Sequence, residues 1–201
     1  LGIKKLSNLY IIFILICFQG FIGWYMVTSG LVDRVDVSHF RLSVHLIIAF
    51  FILSLILWNY LSLTVEQNTY TKLNYYIPLF FLFFIFCQIA IGAFVSGMDA
   101  GQIYNSWPMM GSSYFPDDNN FNNLFKFSAF SDPSLVQFMH RNLAYIILLF
   151  YILMLIKIYK KNLKSLFLPI KIVGLFLFIQ ILLGVLTLIY GAQIFLASMH
   201  Q

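Results

Sequence analysis

Apolar positions in this chain come in long unbroken runs, not in alternation. Five runs of about twenty residues or more, at about 6–26, 42–64, 77–98, 135–158 and 167–190, are set off by polar breaks, and a sixth starts near Gln193 and continues to Gln201. A helix of about 20 apolar residues crosses the roughly 30 Å hydrocarbon core of a bilayer. Barrel strands would alternate polar and apolar residues, and these runs do not. Helices also satisfy their own backbone polar groups, which lipid cannot do. The pattern predicts an all-α, polytopic transmembrane helical bundle with five full spans and the first turns of a sixth.

Composition agrees. The chain of 201 residues is 61% hydrophobic and 9% charged, with a mean hydropathy of +0.89. A soluble domain carries roughly 25% charged residues, so this chain cannot cover itself with a polar surface.

Placing the cations on the spans gives an orientation. Lys4, Lys5, Lys72, Lys157, Lys160, Lys161, Lys164 and Lys171 fall at one set of span ends; Arg34, Arg41, Lys126 and Arg141 fall at the other. The first, richer set is expected to face the cytoplasm or matrix. The net charge of +5 is thus a topology signal and not a nucleic-acid footprint. Segment 99–134 is then external, with Asp99, Asp117, Asp118 and Asp132 against Lys126. Its Tyr, Trp and Pro content suggests an ordered cap, within which 121–130 reads as an amphipathic turn or short helix at the interface. Cys17 and Cys87 both lie in apolar runs and read as small buried hydrophobes. The chain starts without Met and stops inside an apolar segment, and it is therefore expected to be part of a longer protein.

With that orientation, His45, His140 and His200 each lie near the outer start of a span; His39 lies just before the second. A single intramembrane histidine is often a satisfied core residue. Three at a common level make a constellation, because ionisable groups in membrane spans are functional candidates and imidazole is the commonest metal ligand. Ala49 and Ala144 follow His45 and His140 by four residues, on the same helix face. A small residue there leaves room for something flat, although close helix packing uses small residues too. A bare zinc ion wants four protein ligands, and the spans offer no Asp or Glu. Haem iron takes only axial ligands from the protein. Arg41, one turn before His45, and Arg141, beside His140, suit carboxylates such as haem propionates, or snorkel to the interface.

A repeat runs through the spans. "QGFIG" carries Gln19 and Gly23, "QIAIG" carries Gln88 and Gly92, and "QILLG" carries Gln180 and Gly184; each is followed by a span opening with a histidine, His45, His140 or His200. The unit is a hairpin, Q-x-x-x-G and then His. Two four-helix halves built of such hairpins would require one more hairpin upstream of Leu1, with its own histidine.

The stretches "GWYMVTSGLVDRVDVSHFRLSVHL" (23–46), "GAFVSGMDAGQIYNSWPMMG" (92–111), "QFMHRNLAY" (137–145) and "ASMHQ" (197–201) resemble the haem A synthase family, in family order and across nearly the whole chain. The second stretch is the most specific. The resemblance implies a duplicated four-helix plus four-helix architecture. Residues 1–64 would be the second hairpin of the N-terminal, substrate-haem half, and 65–201 the C-terminal, b-haem half. It implies that His140 and His200 ligate the iron of a haem b, and that His45 belongs to the catalytic, iron-facing site for substrate haem O. Its partner histidine and a functional glutamate would lie upstream. Arg41, Arg141, Ala49 and Ala144 would line the haems, with Asp99 and Asn105 shaping the loop over the haem and Trp107 packing on it. The external loop has no cysteine pair, which resembles the proteobacterial and mitochondrial branch.

The implied activity is oxidation of a methyl group of haem O to a formyl group, giving haem A for cytochrome oxidase. The implied location is the bacterial or mitochondrial inner membrane, with the histidines toward the periplasmic or intermembrane face. Implied partners are haem O, membrane lipid, haem O synthase or cytochrome oxidase assembly factors, and a second copy of the chain, with no nucleic acid. Spacing alone leaves two other readings open: a bis-histidine b-type cytochrome without its own substrate, and a transporter or structural bundle with packed histidines.

Overall fold

The computed structural model describes residues 3–30, 37–64 and 73–201. Among them, six α-helices account for the apolar runs: α1 (Ile3–Gly30), α2 (His39–Thr64), α3 (Tyr76–Gly97), α4 (Pro133–Lys160), α5 (Phe167–Ile189) and α6 (Ile194–His200). The described residues contain no strand beyond an isolated bridge between Met110 and Ser113. α1 to α5 are each long and apolar enough to cross a membrane. The fold is therefore an all-α polytopic bundle, as the runs predict. Arg34 and Lys72 of the charge argument lie outside the described residues.

Local chemistry sets the helix ends. Pro78, Pro133 and Pro169 all fall in the first turn of a helix, where the missing N–H has no intrahelical partner to lose. The Asp132 side chain accepts a 3.0 Å hydrogen bond from the Leu135 N–H and caps α4. This cap starts α4 two residues before the apolar run does. Lys157 and Lys160 in its last turn face the negative end of the helix dipole. α5 stops at a turn in which Gly191 takes φ +67° and the Ala192 N–H reaches back 2.8 Å to the Thr187 carbonyl. That left-handed turn, which glycine adopts without a Cβ penalty, sends α6 back along α5.

The chain divides into two compact units, 1–70 and 71–201. In the first, α1 packs against α2, joined by a 3.1 Å bond from Asn8 Nδ2 to Asn59 Oδ1. In the second, α3 packs on α4, α4 on α5, and α5 on α6. Met154, Ile158 and Ile170 form its buried cluster at the lysine-rich end, covered by Ile77, Phe81, Tyr151 and Phe167. Most other large apolar side chains face outward: Trp58 is 70% exposed, Phe176 and Phe178 65% each. Water does not tolerate such a continuous surface; acyl chains do.

At the other end of the second unit, residues 98–132 fold into a cap of turns and three 3-10 helices, Ala100–Gln102, Phe121–Phe125 and Phe127–Ser131. Two of these occupy the segment expected to lie at the interface, and leave Phe125 and Phe127 78% exposed or nearly so. Phe115 and Tyr114 set their rings edge-on to Phe138 of α4. Met110 and Ala129 of the cap and Leu135 and Val136 of α4 are buried.

Candidate functional site: histidines seated on glycines

Each histidine meets a glycine of the preceding helix, and the helical rise explains why. Gly184 lies about 7.5 Å before the end of α5 and His200 about 9 Å past the start of α6, at 1.5 Å per residue. Equivalent sums put Gly92 and His140 level in the α3–α4 hairpin, and Gly23 and His45 level in α1–α2. An added Cβ on Gly23 or Gly92 would stand 3.1 Å from the Cε1 of His45 or His140, and one on Gly184 would stand 2.8 Å from the Cε1 of His200. The glycines are therefore seats for imidazole rings.

The glutamine of each repeat completes the seat. Gln19 Nε2 lies 2.9 Å from the His45 carbonyl oxygen and 3.2 Å from His45 Nε2. Gln88 Nε2 lies 3.2 Å from both the carbonyl oxygen and Nε2 of His140. Gln180 Nε2 donates to the His200 carbonyl. The Nδ1 atoms of His45, His140 and His200 are all buried and lack a hydrogen-bond partner among the described residues.

His140 and His200 come together within the second unit. Their ring centres are 6.3 Å apart and their planes cross at 89°. An imidazole nitrogen sits about 1.2 Å from its ring centre and binds a first-row metal at about 2.0–2.1 Å, so two rings on opposite sides of one ion have centres about 6.4–6.6 Å apart. The observed spacing fits one metal held between the rings. Among the described residues no three His, Cys, Asp or Glu side chains converge to hold a bare ion. Haem needs only the two, because the porphyrin supplies the other ligands. Residues and cofactor fit.

The remaining expected site residues fall as follows. Arg41 lies one turn before His45, its guanidinium carbon 5.1 Å from the centre of the Tyr25 ring, a cation–π distance. Ala49 and Ala144 are half-buried, one turn after His45 and His140. Arg141 does something charge alone did not suggest. Its Nη1 donates to the Ser106 and Met109 carbonyls at 3.0 and 3.3 Å, and its Nη2 to the Tyr104 carbonyl at 2.9 Å. The fork is occupied by the cap, and its Nε is buried without a partner among the described residues. Asn105 ties the cap to α5 by donating to the Gly101 and Leu188 carbonyls. Trp107 Nε1 donates to the Tyr145 hydroxyl at 2.9 Å. Asp99 adopts φ +50° at the turn out of α3.

The cap also uses residues the sequence did not single out. Gln137, 2% exposed, donates from Nε2 to the Tyr104 carbonyl at 3.0 Å, and Tyr114 donates to Asn142 Oδ1 at 2.7 Å. Gln137 and Arg141 stand one turn apart, and a polar pair at i, i+4 in an apolar run is the available signal. Asp118 accepts from Tyr104 at 3.0 Å and Ser134 at 2.6 Å. Burial pushes the Asp118 carboxyl up, but hydrogen bonds from Ser134, Tyr104 and Asn119 outweigh this and hold it below the usual value. Asp117 is likewise lowered by the backbone N–H and hydroxyl of Ser112. Burial and then Asp118 raise the Tyr104 phenol.

Comparison with known proteins gives a consistent picture. Over 195 residues the chain is 46% identical to the haem A synthase of Pelagibacter ubique, covering 97% of this chain and 57% of that protein. It is 41% identical over 206 residues to the haem A synthase of Rickettsia bellii, covering 98% and 60%, and 38% identical over 205 residues to that of Rickettsia prowazekii, covering 99% and 60%. The chain thus spans about three fifths of the length of these curated relatives, which belong to the proteobacterial branch that the cysteine-free external loop resembles. No solved structure matches the chain. The model of the family described as cytochrome oxidase assembly protein, COX15-CtaA, matches residues 4–201, and on that match the chain belongs to the COX15-CtaA family.

Proposed function

We propose that this chain forms the haem-bearing helices of a haem A synthase, in which His140 and His200 would hold a b-type haem. The observation that carries this is the 6.3 Å spacing of their ring centres, with both Nδ1 atoms buried and unpartnered. His45, seated by Gly23 and Gln19 in the same way, serves substrate haem O in the half to which α1 and α2 belong. That half and the half containing α3 to α6 make a duplicated bundle. The activity is conversion of a methyl group of haem O to a formyl group, a four-electron change that replaces two hydrogens by one oxygen.

When bound, the b haem supplies a one-electron iron couple. This chain's residues do the rest. His140 and His200 would hold that group through neutral imidazole nitrogens, a ligand pair that suits electron transfer. Gly92 and Gly184 let the rings lie against the neighbouring helices. Ala49 and Ala144 leave space for a flat ring beside the histidines. Arg41 supplies positive charge at the outer end, where propionates of a haem on His45 would lie. Arg141 holds the cap down through three carbonyls and reaches an acid only through what its fork leaves free. Asn105 and Trp107 brace the cap, which keeps water off the site.

Lys157, Lys160, Lys161, Lys164 and Lys171 lie at the end of the second unit opposite the cap. By the positive-inside rule this lysine-rich end supports a cap and histidines directed toward the periplasmic or intermembrane face of a bacterial or mitochondrial inner membrane. Haem O, lipid and a neighbouring haem O synthase or oxidase assembly factor, or a second copy, are the partners this placement allows. The test is haem extraction from cells that express the complete protein with a haem O source. Haem A accumulation is expected. Haem O accumulating without haem A, while the protein holds its b haem, would favour a plain bis-histidine cytochrome.

A further inference from the structure

We infer that "FNNLFKF" (121–127) in the cap is a membrane-docking surface. Phe121, Phe125 and Phe127 enter the boundary between headgroups and acyl chains in the leaflet at the cap end, and Lys126 meets phospholipid phosphate there. The three rings are 59, 77 and 78% exposed. Their assignment depends on the membrane spans and not on the haem, so it stands or falls apart from the proposed activity.

Two chains of ring contacts set the depth of these side chains. One runs from Phe94 of α3 to Phe130 and on to Phe127, with ring centres 6.1 and 6.0 Å apart. The other runs from Phe138 of α4 to Phe115, Phe121 and Phe125, at 5.0, 5.7 and 5.5 Å. Phe94 lies three residues before the end of α3 and Phe138 five residues after the start of α4, about 4.5 and about 7.5 Å into their helices. At 22 and 28 residues, α3 is about 33 Å long and α4 about 42 Å. The hydrocarbon core is about 30 Å thick and the whole bilayer about 40–45 Å. Both chains therefore start near the edge of the hydrocarbon, and each reaches its exposed rings within two or three contacts.

The polar side chains of the same segment hold it to the bundle. Lys126 Nζ donates to Asn123 Oδ1 at 2.9 Å, Asn123 Nδ2 to Asn119 Oδ1 at 3.4 Å, and Asn119 Nδ2 to Asp132 Oδ2 at 3.2 Å. This series ends on the residue that caps α4. Ala129, in the short helix that follows, is buried. The segment is thus amphipathic, with amides directed to the bundle and rings directed away from it. Surfaces of this kind lie in the interface with their apolar face about 5–10 Å into the headgroup and acyl boundary. Lys126 keeps two further N–H donors, and lysine can rest its stem on apolar neighbours while its charge stays at headgroup depth. Lipid is the occupant because the rings continue the apolar outer surface of the spans, which acyl chains cover, and a cation between phenylalanines suits phosphate above those chains. Docked there, the segment fixes the depth of the cap through Asp132, about two turns before His140.

The experiment places a nitroxide at residue 125 or 127 of the complete protein, as Phe125→Cys or Phe127→Cys with the other cysteines replaced by alanine. The labelled protein is reconstituted into phosphatidylcholine–phosphatidylglycerol vesicles. Power saturation then compares collisions with oxygen, which concentrates among acyl chains, and with a water-soluble nickel chelate. Phe176→Cys, on the outward side of α5, supplies the mid-membrane reference. The expected result is oxygen accessibility above chelate accessibility at both 125 and 127, by a smaller ratio than at 176. Chelate above oxygen at either position would place the segment in water and overturn the inference. An immobilised label shielded from both reagents would reveal a protein partner in place of lipid and overturn it too. Phe125→Trp or Phe127→Trp, quenched by brominated lipid or by aqueous iodide, gives the same two readings where a labelled variant does not accumulate.

Discussion

Replacing Gly92 with alanine separates the seat from the helix that carries it. In a helix interior alanine is favoured over glycine by about 0.8–1 kcal/mol, so backbone propensity predicts a more stable α3. The new methyl, however, stands 3.1 Å from His140 Cε1, where carbon atoms prefer about 3.5–4.0 Å. The ring must retreat by about 0.4–0.9 Å, and metal–ligand distances tolerate about 0.2 Å. Disturbing the support of a ligand typically weakens metal affinity about 10–100-fold. Gly20 provides the control, since an added Cβ there meets nothing within 4 Å. The assay is haem per protein, by pyridine haemochrome, and helix content, by circular dichroism, on the purified complete protein. Gly92→Ala should keep its helices and lose haem b. Gly20→Ala should keep both. Wild-type haem content and Soret position in Gly92→Ala would refute the seat.

Further predictions follow the same geometry. Gly184→Ala, with its Cβ at 2.8 Å from the His200 ring, should lose more haem than Gly92→Ala in the same assay. Ala144→Phe should fill the space one turn past His140 and lower haem content with helix content unchanged. Arg141→Ala removes three cap hydrogen bonds, each about 1.5–3 kcal/mol at most for a charged donor; limited proteolysis should cut residues 104–118 faster than in wild type. For Asp117 and Asp118, folded values below the ordinary carboxylate value mean that their contribution is fully present above the unfolded value and is lost as pH falls through the lowered folded values. Hydrogen exchange in 104–118 should therefore be steady from pH 7 to about 5 after correction for intrinsic rates, and should rise only below about pH 4.

The spans were legible because the bilayer sets their length. Runs at 77–98 and 167–190 became Tyr76–Gly97 and Phe167–Ile189, and an apolar run of that length has no other stable form in lipid. The repeat of glutamine, glycine and histidine was legible as a pattern, since identical spacing recurs in three spans. Its meaning was not: that the glycine faces the ring and the glutamine reaches the histidine carbonyl depends on how two helices are set against each other. The cap was least legible. It is held by bonds such as Asn105 to Leu188 and Gln137 to Tyr104, which join residues distant in sequence and leave no periodicity. Arg141 shows the limit of reasoning from charge. Its position beside a histidine suggests an acid partner, yet three backbone carbonyls of the cap occupy its fork.

The central claim is that one iron lies between His140 and His200. Its most direct test is the low-spin ferric haem signal of the complete protein carrying His140→Ala or His200→Ala singly. The account predicts that each substitution abolishes the same bis-imidazole signal. Survival of that signal at wild-type intensity in either variant would contradict it.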